Sequence, residues 1–153
     1  MSIRTAVPAD LPELQRIFRS ASLSNSVDAA LLLAHPEVLE FAGEGVTAGR
    51  TRAAVASLGG VQAILGFATV TGAEHGEAEL EDLFVDPRWH RRGVARRLIE
   101  DAVARVRESG GQRVSVTGNP HAAGFYAAAG FVGSEWVATE LGLPGLRLHL
   151  SVS

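Results

Sequence analysis

Residues 84–102, FVDPRWHRRGVARRLIEDA, set His90, Arg91, Arg92, Arg96 and Arg97 around a single glycine, Gly93, at the point where a helical apolar pattern begins. A helix start leaves backbone N–H groups without intrahelical partners and carries about half a positive charge. Its natural chemistry is anion binding. Gly93 and the small Ala95 let a bulky phosphate approach the backbone, and the arginines add charge from the periphery, so a pyrophosphate fits the description. A second group of reactive residues lies just upstream in EAELEDLFV: a regular strand puts Glu79 and Glu81 on one face and Asp82 on the other, unless a bulge re-aims them. A third stretch, GNPHAAGFYAAAGF, contains Asn119, Phe125 and Tyr126, the only tyrosine of the chain.

The composition narrows what these residues can do. The chain has 153 residues, 46% hydrophobic and 20% charged, which suits one globular domain over residues 1–153. Cysteine is absent, which excludes disulfides, thiolate metal sites and a cysteine nucleophile. All 14 basic residues are arginines, so a Schiff-base lysine and a phosphate-loop lysine are excluded as well. The net charge of −3 hides an asymmetry: residues 88–113 carry a balance of +5 and the remainder −8. One end should attract anions and another cations. The arginines cluster at one helix mouth within an otherwise acidic chain, which argues against nucleic acid as a partner. His35, His75 and His121 lack the spacing of a metal cluster, so no metal is expected. No apolar run is long enough to span a bilayer, and the N-terminus lacks a signal-peptide core; the expectation is a cytoplasmic protein without a membrane partner.

The elements that must position these groups can be read from periodicity. SIRTAV alternates as a strand, and a helix follows with Asp10 as its cap signal and Leu11, Leu14, Ile17 and Phe18 on one face. VDAALLLAHPEVLEFAG is a second helical stretch, broken at Pro36. Three β-like runs follow, separated by Gly59-Gly60 and by a turn around His75-Gly76, and read as an antiparallel meander. After Gly93, Val94, Leu98, Ile99, Ala102, Val103 and Val106 define the longest helix, which Gly110-Gly111 ends. A short strand, a helix capped by Asn119 and two final strands complete the chain. Strand, helix, strand across residues 79–117 implies a parallel pair with a right-handed crossover inside an otherwise antiparallel sheet.

With those residues in view, HRRGVA resembles motif A of the GNAT superfamily of acyl-CoA-dependent N-acetyltransferases: Gly93 and Ala95 match, while His90 stands where the family has Gln or Arg. GNPHAAGFYAAAGF is similar to the family's second signature, and IRTAVPADLPEL to its usual opening. The resemblance implies an α/β fold: a mixed, mostly antiparallel sheet of six to seven strands, its central parallel pair splayed into a V and flanked by helices. It implies acetyl-CoA as co-substrate. Leu83, Phe84 and Val85 are then expected along the pantetheine arm, with Arg91, Arg92, Gly93, Val94, Ala95 and Arg96 around the diphosphate. Asn119 and Phe125 lie near the pantetheine from the other side. Tyr126 takes the place of the family's usual acid, and its reference pKa of about 10 lets it keep its proton until a thiolate forms. The backbone N–H of Val85 is the oxyanion donor. Glu81 is the first choice of general base and Asp82 the second.

The implied activity is transfer of an acetyl group from acetyl-CoA to a primary amine of a small, cationic acceptor, by direct attack in a ternary complex. The alternative is a non-catalytic acyl-CoA-binding regulatory module. The acidic residues Glu74, Glu77, Glu79, Glu81 and Asp82 favour the cationic acceptor, with residues 24–44 and 137–144 as pocket walls. The resemblance permits a homodimer.

Overall fold

Each strand and helix boundary has a local cause. The computed structural model describes residues 1–24, 26–118, 122–138 and 144–152. Among the described residues, seven strands, β1 (Ser2–Thr5), β2 (Thr51–Leu58), β3 (Val61–Val70), β4 (Glu77–Val85), β5 (Arg113–Gly118), β6 (Val132–Ala138) and β7 (Pro144–Ser151), are hydrogen-bonded in the order β1-β2-β3-β4-β5-β7-β6. The helices are α1 (Leu11–Leu23), α2 (Ser26–Ala34), α3 (Glu44–Thr47), α4 (Val94–Glu108) and α5 (Ala123–Ala128). This is the mixed sheet expected from the sequence, with β4 and β5 as its parallel pair. The short α3 was not foreseen. Packing divides the chain into two compact units, residues 1–69 with 82–98, and residues 70–81 with 99–153.

In the first unit, β2 and β3 form a hairpin whose two turn residues, Gly59 and Gly60, have φ of 58° and 82°. Positive φ at both central positions is what a two-residue turn needs to match strand twist. Further along the hairpin the register jumps from Ala54↔Gly66 to Val55↔Ile64, leaving Leu65 as an extra residue on β3. The carbonyl of that bulged residue accepts the N–H of Asp86 at 2.9 Å. Leu14 and Ile17 of α1 pack on Ala53, Val55 and Phe67, with Phe18, Phe41 and Phe84 as partly buried neighbours. The Phe18 and Phe84 rings meet edge to face at 4.8 Å, a favoured aromatic geometry. Asp10 does not cap α1 with its side chain. It accepts the N–H of Val7 at 2.8 Å and a two-pronged bond from Arg4 at 2.7 and 3.0 Å. The preceding 3-10 turn, Pro8–Asp10, draws the carboxylate back before α1 begins.

In the second unit, β5 pairs with β7 from Arg113↔Ser151 to Gly118↔Leu146. The β4–β5 ladder is much shorter: Glu77↔Arg113, Ala78↔Val114 and Glu79↔Ser115. It ends there, although β4 continues to Val85 and β5 to Gly118. Buried Ala78, Leu80, Val114, Val116 and Leu148 lie on the apolar side of these strands, and α4 contributes Ile99, Ala102 and Val106 to the buried set. Asn119, expected as a helix cap, lies outside the described residues, and the N-cap of α5 is Ala122.

Candidate active site

The anion loop belongs to the first unit and is built on a buried carboxylate. Asp86 directly follows β4, with only 1% of its surface exposed. It accepts the backbone N–H of Arg88 at 3.1 Å, the Arg88 guanidinium at 2.8 Å and the Arg16 guanidinium, from α1, at 2.8 Å. Burial by itself raises the Asp86 carboxyl, but the hydrogen bonds from Arg88 and Arg16 outweigh it and hold the group far below the usual carboxylate range. Arg16 also bonds Glu13. This clamp fixes the 3-10 turn Pro87–Trp89 that leads into the loop.

Two loop residues then adopt left-handed backbone, Arg91 at φ 61° and Gly93 at φ 78°. That conformation is strained for arginine and costs of order 1 kcal/mol or more, so the surrounding turn must impose it. The Gly93 carbonyl accepts the N–H of Arg97 at 3.1 Å, which makes Gly93 the cap of α4. The N–H groups of Val94, Ala95 and Arg96 precede the first intrahelical donor and have no carbonyl four residues back in the helix. A Cβ placed at Gly93 meets nothing within 4 Å, so the approach to the backbone is open. Glycine is needed here for its φ as much as for its size. Arg91, Arg92, Arg96 and Arg97 are exposed, Val94 is buried and Ala95 half-buried. Open backbone donors ringed by arginines fit a diphosphate, with Gly93, Val94 and Ala95 able to hold it and the guanidiniums able to neutralise it.

Along β4, burial alternates from Glu77 to exposed Glu81, then Asp82, Leu83, Phe84 and Val85 are all half-buried. The regular alternation expected for Glu79, Glu81 and Asp82 therefore stops at Glu81. Gly66 explains how the strand can lie so close to β3: a Cβ there would sit 2.7 Å from the Phe84 carbonyl oxygen and 3.1 Å from the Val85 Cα.

The second unit carries Glu77, Glu79, Glu81, Phe125 and Tyr126. Tyr126 is 7% exposed and its ring meets Phe125 and Phe131 edge-on, both at 5.4 Å. Gly118 admits that ring, since a Cβ there would lie 2.9 Å from Tyr126 Cε2. Burial pushes the Tyr126 phenol up to about 12. The phenol therefore keeps its proton at neutral pH and can donate a hydrogen bond. Phe125 is 38% exposed.

Two of the acids expected to attract a cation already carry counter-charges. Arg147 of β7 donates to both Glu79 oxygens, at 2.5 and 2.7 Å, and lies 3.6 Å from Glu77. The hydrogen bond to Glu79 raises the guanidinium pKa. Ser115 donates to Glu77 at 2.7 Å. Sequence reasoning missed Asp86, Arg16, Gly66, Gly118 and Arg147. Only the Asp-Pro turn signal before the loop pointed at any of them; the partners of Arg16 and Arg147 are 70 and 68 residues away. Asn119, His121 and residues 139–143 lie outside the described residues.

A mixed sheet with one parallel pair, followed by a helix that opens on a left-handed glycine, is the arrangement that the sequence resemblance implies. The model of the Acetyltransferase (GNAT) family matches residues 17–131. The chain belongs to that family and is an acetyl-CoA-dependent acyltransferase. Solved structures agree in fold. An aminoglycoside 6'-N-acetyltransferase complexed with coenzyme A aligns at TM-score 0.74 and 16% identity, covering 100% of this chain and 98% of that one. A GCN5-related N-acetyltransferase from Rhodopseudomonas palustris aligns at 0.73 and 23%, covering 98% and 94%. The PaiA N-acetyltransferase from Thermoplasma acidophilum, in complex with coenzyme A, aligns at 0.69 and 14%, covering 98% of each. Comparison with curated protein sequences finds no match. No helix among the described residues is long and apolar enough to cross a membrane.

Proposed function

We propose that the chain is a single N-acetyltransferase domain that moves an acetyl group from acetyl-CoA to a primary amine of a small cationic acceptor, by direct attack. The observation that carries this reading is the loop at Gly93: a φ of 78°, open space before the backbone and a 15-residue helix behind it. In this reading Arg91, Arg92, Gly93, Val94, Ala95 and Arg96 hold the diphosphate, and Leu83, Phe84 and Val85 offer backbone groups to the pantetheine, with Phe125 and Asn119 beside it. The amine nitrogen attacks the thioester carbonyl, the C–S bond breaks, and an amide and a thiolate result. The Val85 N–H steadies the oxyanion and the Tyr126 hydroxyl the departing sulfur. Glu81, or Asp82 in its place, takes the proton the amine must lose. The excess of acid outside residues 88–113 supports a cationic acceptor.

Calorimetry with acetyl-CoA and a panel of polyamines, aminoglycosides and amino acid amines, followed by thiol release, tests the whole. A Gly93→Glu variant should remain folded and lose at least roughly tenfold in coenzyme A affinity. Unchanged affinity would refute the placement of the diphosphate.

A further inference from the structure

The core uses only one side of α1. Leu14 and Ile17 turn inward and are fully buried, which leaves Pro12, Gln15, Arg16 and Arg19 on the outer side at helical spacing. Residues 39–42 run beside them. The Gln15 amide donates to the Phe41 carbonyl at 3.2 Å, and Phe41 stacks on Phe18 of the same helix with ring centroids 5.6 Å apart. Between the helix and this segment lies an open groove of about 620 Å³, a size usual for small-molecule sites. All of it belongs to the first unit.

Pro12, Leu39, Phe41 and Ala42 make much of the lining apolar, and the charged groups along it are Arg16, Arg19 and Glu40. Arg16 is already committed, to Glu13 and to the buried Asp86 at 2.8 Å. Arg19 and Glu40 are exposed, and neither side chain has a hydrogen-bond or ion-pair partner among the described residues. They line one groove without pairing with each other. A cation and an anion offered separately beside an apolar wall complement a molecule that carries the opposite two charges on a small apolar body.

We infer that the groove between α1 and residues 39–42 binds a free α-amino acid with an apolar side chain, its carboxylate on Arg19 and its ammonium on Glu40. A plain carboxylate would leave Glu40 crowded by a like charge, and a plain amine would face the guanidiniums of Arg16 and Arg19. The apolar side chain lies against Leu39, Phe41 and Ala42. The site is separate from the loop at Gly93 and holds whether or not that loop binds coenzyme A.

Three probes separate the contributions: L-phenylalanine, 3-phenylpropanoate, which lacks the ammonium, and phenethylamine, which lacks the carboxylate. Each is titrated into the wild-type chain and into Arg19→Gln and Glu40→Gln, and binding is read from the amide chemical shifts of Gln15 and Ala42. Both replaced side chains are exposed, so the variants should unfold at the wild-type temperature. Wild type is expected to bind phenylalanine with a Kd of about 1 mM, as an open groove allows, and the other two probes at least roughly fivefold more weakly. Arg19→Gln should bind phenylalanine no better than phenethylamine, and Glu40→Gln no better than 3-phenylpropanoate. Glycine, which has no apolar side chain, should bind wild type more weakly than phenylalanine does. The inference is overturned if phenylalanine shows no saturable shift at these amides up to about 20 mM, if either singly charged probe binds wild type as tightly, or if both variants bind phenylalanine as wild type does.

Discussion

Replacing Asp86 by asparagine keeps the size of the side chain and removes its charge. The carboxylate is 1% exposed and accepts from the Arg88 backbone, the Arg88 guanidinium and the Arg16 guanidinium. An amide has one acceptor oxygen, so its NH2 must face at least one of these donors. The Arg88 guanidinium is solvent-exposed and contributes no energy to the estimate. The bond to Arg16 is charge-assisted, worth about 1.5–3 kcal/mol in a protein interior, and is discounted because the Arg16 side chain is 42% exposed. Adding the desolvated donor left facing an NH2, the expected loss is about 2 kcal/mol of unfolding free energy at pH 7. In a chain of this length that lowers Tm by roughly 4–8 °C. The loop at Arg91 and Gly93 should loosen as well, raising the Kd for coenzyme A roughly tenfold. The folded-state pKa of Asp86 is depressed, so its contribution is complete above the unfolded value near 4 and is lost as pH falls below it. The stability gap between wild type and Asp86→Asn should therefore be constant from pH 7 to about 5 and shrink below about 4. Urea unfolding across that range and calorimetry with coenzyme A measure both effects. A gap under about 0.5 kcal/mol at pH 7, or one that widens in acid, refutes the reasoning.

Tyr126→Phe should lower kcat by roughly a hundredfold while leaving the affinity for acetyl-CoA unchanged, read by thiol release and calorimetry; equal turnover with a rate-limiting chemical step removes the tyrosine from the mechanism. Since burial pushes the Tyr126 phenol up to about 12, an alkaline loss of activity near pH 10 that disappears in Tyr126→Phe would contradict its burial. Its folded pKa is raised, so its contribution to stability is full below pH ~10 and falls as pH climbs towards the folded value. Gly66→Ala puts a methyl 2.7 Å from the Phe84 carbonyl oxygen and should cost about 1–3 kcal/mol while lowering kcat, because the backbone of Val85 must shift; wild-type turnover would show that Val85 is not the oxyanion donor.

The order of elements along the chain, the long helix after Gly93 and the glycine that opens it were legible because each rests on local rules. Apolar spacing along residues 94–106, the paired glycines at 59–60 and a glycine at a helix mouth act over a few residues, and the structure keeps all three. Where local signals competed, long-range contacts decided. Asp10 reads as the cap of α1, yet Arg4 lies near enough to draw the carboxylate back. Glu77 and Glu79 read as acids available to an amine, but Arg147 arrives from the far end of the chain and takes them up.

By itself, then, the sequence determined the family, the parallel pair and the left-handed glycine that opens α4, because such backbone features depend on glycine placement and helix starts, which are written in consecutive residues. Tertiary structure alone decided that a buried Asp86 anchors the loop through Arg16, that Gly66 and Gly118 make room for Val85 and Tyr126, and that Arg147 reaches Glu79 across β5. Charge pairing and close approach depend on distance in space, and no spacing along the chain encodes which of 14 arginines will reach which carboxylate.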